Sequence, residues 1–426
     1  MKHILVFAYQ ISPFAGSEFA VAWDYVKNMS KTNKLTVLYG ISEGWLEIGN
    51  VKKMREYLSV NELPNVDFVP VLPDESVSRE LAKIKKSRYE YYQFYFAYRV
   101  YHKLVAKVAA EIIKREKIDI VHYLGPIGYH EPGYLRKLGL PYIWGPIGGV
   151  DCAPLHLLPG LYSAVAKVEL LAKEAINVFR YTFNRRIREA FLNTDLLLAN
   201  NSVNARKIKK ITGRDDIQVF QENGISVLFP LNEEKFKSEK VECIWVGSLC
   251  PRKSLYTLLR SLKLVDANAP ILINIVGTGH LMESMKKYAV ESGVDHFLKW
   301  HGSIPRNEVF ALFDKAHLHI ITSIKEANTT VIWEAMSKGV PTMSFRHSGM
   351  ADTINDRNGI LIPVVSYKKS CRDMADRLTD LVKNPEKLRK LAVGVLETRE
   401  QYTWEARCKK WNMFYDMAIE AHNNKK

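Results

Sequence analysis

The sequence predicts an α/β protein with two doubly wound parallel sheets, one in each half of the chain. Short apolar runs alternate with longer segments of helical spacing, which is typical of parallel strands connected by helices. The length of 426 residues is enough for about two or three domains. A polar segment containing Pro230 separates two series of apolar runs, so we predict domains at 1–228 and 241–410 with a linker over 229–240.

The first half begins with an apolar run that is followed by a loop containing Pro13 and Gly16 and then by a helix over about 18–30. Its predicted strands are short and rich in Val, Ile and Leu, as expected of strands that are buried on both faces. They are residues 4–9, 35–39, 66–70, 118–123, 142–144 and 196–199.

The second half repeats this alternation after the linker. Each apolar run is again bounded by glycine, proline or polar residues, which mark the ends of strands. The predicted strands are residues 242–247, 271–277, 298–302, 318–321, 341–345 and 359–362.

The charge balance indicates an anionic partner. The chain has 61 basic and 46 acidic side chains, a net charge of +15. Nucleic acid, a phosphorylated substrate and an acidic membrane surface are all compatible with this surplus. No apolar run approaches the roughly 18–20 residues of a transmembrane helix, and the N-terminus is predicted to be a strand and not an export signal. We therefore expect a cytoplasmic protein with reduced cysteines.

Two basic segments of the first half carry much of this charge. Residues 83–117 contain ten basic and three acidic side chains, with Tyr91, Tyr95, Tyr98 and His102 at helical spacing. Residues 161–192 form a second basic amphipathic stretch that includes four arginines, Arg180, Arg185, Arg186 and Arg188. Two interpretations stay open: helices docked on the sheet with a solvated basic face, or a surface for an anionic membrane.

The segment from Glu326 to Pro341 is the strongest chemical signal in the sequence. It follows the predicted strand 318–321, and a helix is expected from Thr330 until Gly339. Backbone amides at the start of such a helix, around Asn328, Thr329 and Thr330, can bind an anion. Glu326 lies in the loop before the helix, and Glu334 lies within it.

This segment resembles a known signature. Two glutamates separated by seven residues, then Ala-Met and Gly-Val-Pro, resemble the motif of retaining glycosyltransferases of the GT-B fold, family GT4, of the bacterial surface-polysaccharide type. The resemblance implies two Rossmann-like domains facing across a cleft. It places Glu326 beside the donor sugar near the reacting carbon and Glu334 at the ribose. Ala327 stands where the family usually has glycine.

The loop after the first strand of the second half resembles a second part of the family pattern. There Gly247 and Lys253 match a glycine and the lysine that neutralises the donor diphosphate in the family, and we expect Lys253 to be catalytic with Glu326. Ser248 stands where the family has arginine. Arg252 is our candidate for the missing charge, since charge accumulates on the departing diphosphate.

Further positions follow from the same resemblance. Gly277 and Gly279 resemble a Gly-x-Gly turn near the nucleotide, and Gly16 matches a small residue that lets the backbone approach the donor. His130 and Glu131 follow a strand of the acceptor domain and are our candidates for contacting the acceptor. The family histidine usually follows a later strand, where this chain has Gly148 and Gly149.

The expected activity is transfer of a sugar from a nucleotide-diphosphate donor to a glycan or lipid-linked acceptor in polysaccharide or lipopolysaccharide synthesis. The resemblance implies a final helix, about 411–426, that packs back on the first domain. Since the chain has no Asp-x-Asp run, we expect no cofactor and no metal. The two basic segments suggest peripheral association with the inner face of the cell membrane.

Three alternatives stay open at this stage. The departures at Ser248 and Ala327 would suit an inactive glycosyltransferase-like scaffold, and a GT-B sugar-nucleotide epimerase would share the donor motifs. A nucleic-acid-binding protein is motivated by charge alone. The sequence has no helix-turn-helix, zinc-finger or RNP-type pattern, so we expect no nucleic-acid partner.

Overall fold

The computed structural model describes residues 1–14, 16, 18–40, 49–85, 90–327 and 329–425. They form two compact units, described here one at a time. The first unit contains residues 1–150, 179–223 and 404–426, and the second contains residues 151–178 and 224–403. Each unit has its own parallel sheet and its own buried core.

The sheet of the first unit has seven parallel strands in the order β3-β2-β1-β4-β5-β6-β7. The inner strand β1 is almost entirely buried, which explains its uninterrupted apolar sequence. The strands are β1 His3–Ala8, β2 Lys34–Tyr39, β3 Val66–Pro70, β4 Ile120–Gly125, β5 Tyr142–Ile147, β6 Leu196–Ala199 and β7 Gln218–Val219.

Within the described ranges, seven helices connect these strands or follow them. The longest, α4, lies between β3 and β4. They are α1 Glu18–Met29, α2 Gly49–Val60, α3 Glu75–Leu81, α4 Glu90–Arg115, α5 Ala164–Phe183, α6 Arg185–Asn193 and α7 Ser202–Thr212. Short 3-10 helices lie at Leu135–Lys137 and Leu155–Gly160.

The sheet of the second unit has six parallel strands in the order β10-β9-β8-β11-β12-β13. The order changes direction at β8, the position at which open α/β sheets bind ligands beyond the strand ends. The strands are β8 Val241–Val246, β9 Ile271–Val276, β10 Leu298–Gly302, β11 Leu318–Ile321, β12 Thr342–Phe345 and β13 Gly359–Ile362. All six agree with the predicted runs.

The helices of this half complete the element list. In chain order they are α8 Leu255–Leu262, α9 Met282–Glu291, α10 Arg306–Lys315, α11 Thr330–Ser337, α12 Met350–Thr353, α13 Tyr367–Lys383, α14 Glu386–Thr398 and α15 Trp404–Asn423. Further 3-10 helices are Glu233–Lys237, Pro251–Lys253, Asp295–Phe297 and Arg399–Tyr402. None of the helices found among the described residues is long and apolar enough to cross a membrane.

The last helix, α15, packs into the core of the first unit. Trp411 is fully buried, with its ring centroid 4.9 Å from both His122 and Phe220. Tyr415 is buried beside it and its hydroxyl lies 2.9 Å from Nδ1 of His122. The helix that ends the chain therefore completes the first core, from Trp404 onward.

The division between the units differs from the predicted domain limits. Residues 151–178 were predicted within the first domain, but Ala166 and Leu170 of α5 pack against the core of the second unit. Residues 229–240 were predicted to be a linker. There the Lys235 ammonium group is buried and donates to the carbonyl oxygen of Ala316 at 2.8 Å. The polar composition of these residues indicated a linker. A polar composition does not require an exposed segment, because a lysine can bury its aliphatic stem while its charged end is satisfied.

For several aromatic residues of 83–117, helix α4 favours the first of the two interpretations, a helix docked on the sheet. Phe94, Tyr98 and Tyr101 are buried in the first core, and the Tyr98 ring lies 4.5 Å from that of His102. Tyr98 and His102, two members of the predicted aromatic face, therefore point into the protein, whereas Phe96 of the same helix is 64% exposed. Residues 86–89 lie outside the described part of the chain.

Candidate functional site

The candidate site lies within the second unit, where three neighbouring strands end. Strands β9, β8 and β11 are adjacent and parallel, so the loops that follow them emerge at the same edge of the sheet. Open α/β sheets bind ligands at this edge. The 247–254 loop follows β8, and the 322–327 loop follows β11.

Hydrogen bonds hold these two loops together. Thr322 Oγ1 donates to the carbonyl oxygen of Lys253 at 2.9 Å and accepts from Trp245 Nε1 at 3.0 Å. The backbone N–H of Ile324 donates to the carbonyl oxygen of Arg252 at 2.9 Å. Because the contacts involve backbone groups on both sides, they fix the distance between the cations of one loop and the carboxylate of the other.

Glu326 accepts hydrogen bonds from both cations on one carboxylate oxygen. Lys253 Nζ lies 2.6 Å and Arg252 Nη1 2.8 Å from Oε2 of Glu326. Burial disfavours the charged carboxylate, but Lys253 and Arg252 more than compensate and hold the pKa of Glu326 below its ordinary value. The structure thus brings together three residues that the sequence singled out.

Glu334 is the more buried member of a different ion pair, with its side chain 16% exposed against 72% for Arg306. It lies on α11 with a carboxylate oxygen 3.0 Å from Nη2 of Arg306, the first residue of α10. Burial raises the pKa of Glu334, and Arg306 opposes this rise. Thr329 is the N-cap residue of α11 and Thr330 its first residue. Asn328, predicted to contribute to donor binding, lies outside the described residues.

Two glycines of the second unit lie where two backbones meet. A Cβ atom on Gly277 would lie 1.9 Å from the carbonyl oxygen of Gly247, and Gly277 has a φ of +126°. A Cβ on Gly279 would lie 2.4 Å from the carbonyl oxygen of Leu249. These close approaches explain why both positions are glycine. Ser248 is exposed between Gly247 and Leu249.

Sequence reasoning missed a third loop that supports Glu326. His347, two residues after β12, has Nε2 2.9 Å from the carbonyl oxygen of Ser323, so this nitrogen donates. The neighbouring Ser348 donates its hydroxyl to Asp151 at 2.9 Å. The signal that could have found His347 was its place directly after a predicted strand.

In the first unit, Glu131 is buried in an ion pair of its own. Its carboxylate accepts from Arg186 through two guanidinium nitrogens, at 2.8 Å and 2.5 Å, and from Arg99 Nε at 3.2 Å. These contacts lower the pKa of Glu131 in spite of its burial. The carboxylate is 1% exposed, so its described role is to hold the loop after β4 to α6.

The other two predicted residues of the first unit are more accessible. His130 is half-buried, with its ring 5.2 Å from Tyr95 and Nδ1 3.5 Å from Nη1 of Arg180. Gly16 is exposed, and a Cβ added there would meet no atom within 4 Å. The contact of His130 with the acceptor and that of Gly16 with the donor stay predictions.

The described residues contain no group of three or more His, Cys, Asp or Glu side chains that could hold a metal ion. The positive charge next to Glu326 comes instead from Lys253 and Arg252, which the protein itself supplies. Arginine and lysine at such a position are suited to bind phosphate oxygens.

Residues 231–393, which include the site of the second unit, match the family model described as Glycosyl transferases group 1. The chain is 23% identical over 248 residues to a putative colanic acid biosynthesis glycosyltransferase, WcaL, of Escherichia coli strain K12. That match covers 55% of this chain and 59% of the relative.

Solved structures show the same fold. The apo form of the lipopolysaccharide outer core galactosyltransferase WaaB matches with a TM-score of 0.64 and 15% identity, over 100% of both chains. Anabaena HepE, solved in complex with UDP and glucose, matches with a TM-score of 0.61 and 14% identity, over 97% of this chain and 99% of that one. The chain therefore has the GT-B fold, and its residues 231–393 match the glycosyl transferases group 1 family.

Proposed function

We propose that this protein is a glycosyltransferase that moves a sugar from a nucleotide-diphosphate donor to a hydroxyl of a glycan or lipid-linked acceptor and retains the anomeric configuration. The observation that carries the proposal is the carboxylate of Glu326, held by Lys253 and Arg252 in the loop that follows β11. The proposed pathway is synthesis of a surface polysaccharide or lipopolysaccharide. WcaL, named for colanic acid biosynthesis, and WaaB, named for the lipopolysaccharide outer core, support it.

The two cations suit a diphosphate leaving group. When the bond between the anomeric carbon and the phosphate oxygen breaks, both electrons go to that oxygen, and nearby fixed positive charges stabilise it. The acceptor oxygen forms the new bond to the same carbon, and its proton goes to the departing phosphate. Lys253 and Arg252 both contact Glu326 in this structure. A bound diphosphate would compete for them and release the carboxylate to sugar hydroxyls.

The remaining site residues have proposed roles around this centre. Glu334, paired with Arg306, is a candidate acceptor of hydrogen bonds from ribose hydroxyls. The amides at Thr329 and Thr330 begin α11 and would face anionic oxygen atoms. The backbone at Gly277 and Gly279 passes closest to the 247–254 loop and would form the nucleotide-side wall.

We further propose that turnover needs no metal ion, because the cationic pair provides the charge that a metal would otherwise supply. Turnover measured with and without EDTA tests this directly. An unchanged rate after chelation supports the proposal. A rate that collapses with EDTA and returns with added Mg²⁺ or Mn²⁺ contradicts it.

The acceptor and the cellular location complete the proposal. His130, half-buried beside Tyr95, is the candidate contact for the acceptor. A lipid-linked acceptor would be met at the inner face of the cell membrane, so we propose peripheral association with that surface from the cytoplasmic side. The net charge of +15 favours an anionic lipid surface.

A mass-spectrometric panel of nucleotide sugars, with UDP-glucose first because HepE was solved with UDP and glucose, tests the activity. Wild type should bind and turn over at least one donor. Glu326→Gln keeps the side-chain shape but removes the charge, and its turnover should fall by about 100-fold or more. Glu386→Gln, at an exposed glutamate of the same unit, is the matched control and should keep full activity.

Two outcomes would reject the proposed activity. If wild type binds no nucleotide sugar of the panel, the inactive scaffold becomes the better interpretation. If Glu326→Gln turns over donor as fast as Glu386→Gln, the carboxylate between the two cations has no part in the reaction.

A further inference from the structure

Residues 151–174, called here the strap, form a fixed part of the second unit. The strap contains a 3-10 helix and the first half of α5. Its two ends are joined, because the backbone N–H of Ala153 donates to Oε1 of Glu174 at 3.3 Å. The apolar side chains that it buries in the core of the second unit are Ala153, Leu157 and Leu161. Its polar groups are therefore firmly placed and can hold other loops.

Two serines close to the site donate their hydroxyl groups to the strap. Ser254, which directly follows Lys253, donates to the carbonyl oxygen of Gly160 at 2.7 Å. Ser348, in the loop after β12, donates to Asp151 at 2.9 Å. Both hydrogen bonds are buried, so their loss would leave a buried polar group without its partner.

The same two serines have an unusual backbone conformation. The φ values of Ser254 and Ser348 are +45° and +47°, in the left-handed region that residues other than glycine rarely adopt. Such a conformation persists where surrounding contacts fix it, and it is frequent at ligand sites. The strap supplies one such contact to each serine, so it helps to set the shape of both loops.

The third contact of the strap reaches the residue directly before Glu326. Lys325 Nζ donates to Oε1 of Glu174 at 2.7 Å, and the two side chains are only 22% and 11% exposed. The carbonyl oxygen of Lys325 accepts from Arg252 Nη1 at 3.0 Å. Lys325 is thus held at its side chain by the strap and at its backbone by the neighbouring loop. A displacement of Lys325 would also displace Glu326.

We propose that Glu174 is a positioning residue, which holds the carboxylate of Glu326 in place through Lys325. The contacts of the strap with Ser254 and Ser348 hold the two neighbouring loops in the same way. This inference deepens the proposed function and rests on it for the effect on turnover. A displacement of about 1 Å in an active site can lower a rate by about 100-fold, so small movements of these loops matter.

The variant Glu174→Gln tests the role of the buried carboxylate. It leaves the ammonium group of Lys325 without its anionic partner and should lower kcat by about tenfold, with the donor Kd within about twofold of wild type. Glu169→Gln makes the same change at an exposed position of α5 and is the matched control. The control should keep the kcat of wild type.

A double-mutant cycle tests the route through Lys325. Lys325→Met should also lower kcat, and Glu174→Gln/Lys325→Met should be no slower than Lys325→Met alone, because both changes remove the same contact. Losses that multiply in the double variant would contradict this route.

Ser254→Gly and Ser348→Gly test the two hydroxyl contacts without adding backbone strain. Glycine adopts positive φ readily, so the melting temperatures should stay close to that of wild type while kcat falls severalfold. Asn65→Gly is the matched control, at an exposed residue of the first unit with a φ of +64°. It should turn over donor like wild type.

Hydrogen exchange measures the position of the Glu326 loop without turnover. The N–H of Ile324 donates to the carbonyl oxygen of Arg252, and its exchange should be severalfold faster in Glu174→Gln than in Glu169→Gln. If wild type turns over no donor but this difference is seen, the proposed activity is contradicted and the role of the strap is supported.

Two results would overturn the inference. Glu174→Gln that matches Glu169→Gln in both kcat and hydrogen exchange would show that the carboxylate does not position the loop. Glycine variants of Ser254 and Ser348 that lose melting temperature and donor affinity together with kcat would show that the strap only stabilises the second unit.

Discussion

Lys253 and Arg252 contact the same oxygen of Glu326 but differ in burial, since their side chains are 14% and 48% exposed. Charge acts more strongly where water is excluded. We therefore expect Lys253→Met to lower kcat/KM by about 100-fold and Arg252→Met by about tenfold, measured from initial rates of nucleotide release. Lys263→Met, at an exposed lysine of the same unit, should behave like wild type. Equal losses in the two site variants would contradict the burial argument.

The same contacts predict how activity depends on pH. Burial would raise the pKa of Glu326, but Lys253 and Arg252 hold it below its ordinary value. The ionised carboxylate therefore contributes stability above the ordinary glutamate pKa, and this contribution is lost as the pH falls through the lowered value. Lys253→Met removes the larger of the two attractions, so the pKa of Glu326 should rise.

The measurement is the pH profile of kcat/KM for wild type, Lys253→Met and Lys263→Met. The acid limb should move to higher pH in Lys253→Met, because Glu326 becomes protonated earlier, and it should stay in place in Lys263→Met. An acid limb at the same pH in all three proteins would show that a group other than Glu326 controls it.

At the scale of the elements, the ends of β8 and β9 are packed so closely that glycine is required. A Cβ on Gly277 would meet the carbonyl oxygen of Gly247 at 1.9 Å, whereas a Cβ on Gly293 would meet no atom within 4 Å. Both glycines have positive φ, +126° and +67°. The two positions therefore differ in the steric clash that a Cβ would meet.

We expect Gly277→Ala to lower the free energy of unfolding of the second unit by about 3 kcal/mol or more and to weaken donor binding. Gly293→Ala should cost only about 1 kcal/mol, the penalty for an alanine at positive φ, and should leave donor binding unchanged. Thermal melting and donor titration measure the two effects. Similar melting temperatures for the two variants would contradict the close approach of the two loops.

The sequence predicted the six strands of the second unit and the proximity of Glu326 to Lys253. Strands buried on both faces have continuous apolar runs, so each of the six strands of the second unit was visible. The placement of Glu326 and Lys253 followed from the loops after β11 and β8, since the ends of neighbouring parallel strands meet at one edge. The local pattern and the final geometry agree there.

Other features depend on contacts that no local pattern encodes. Periodicity showed that the aromatic residues of α4 share a face, but only packing decides whether that face points inward, as Tyr98 does. Residues 151–178 belong to the second unit because Leu157 and Leu170 meet its core, a contact between distant segments. His347 supports the Glu326 loop through a backbone carbonyl, which leaves no motif in the sequence.

At the scale of the whole molecule, the two cores predict that the units respond separately to mutation. Trp411 is fully buried in the first core, although α15 is the last helix of the chain, and Phe297 is buried in the second core. Truncation of a buried aromatic residue costs about 3–5 kcal/mol, mainly through the cavity that remains. Each cost should fall on the unit whose core is damaged.

Hydrogen exchange followed by mass spectrometry distinguishes the two responses. Trp411→Ala should speed exchange in β1 and β4, the central strands that its core supports, and leave β9 protected. Phe297→Ala is the matched variant and should do the reverse, with faster exchange in β9 and unchanged β1. Because α15 contributes Trp411 to the first core, donor binding by the second unit should survive Trp411→Ala. Faster exchange in both sheets from either variant would show that the two cores unfold as one cooperative structure.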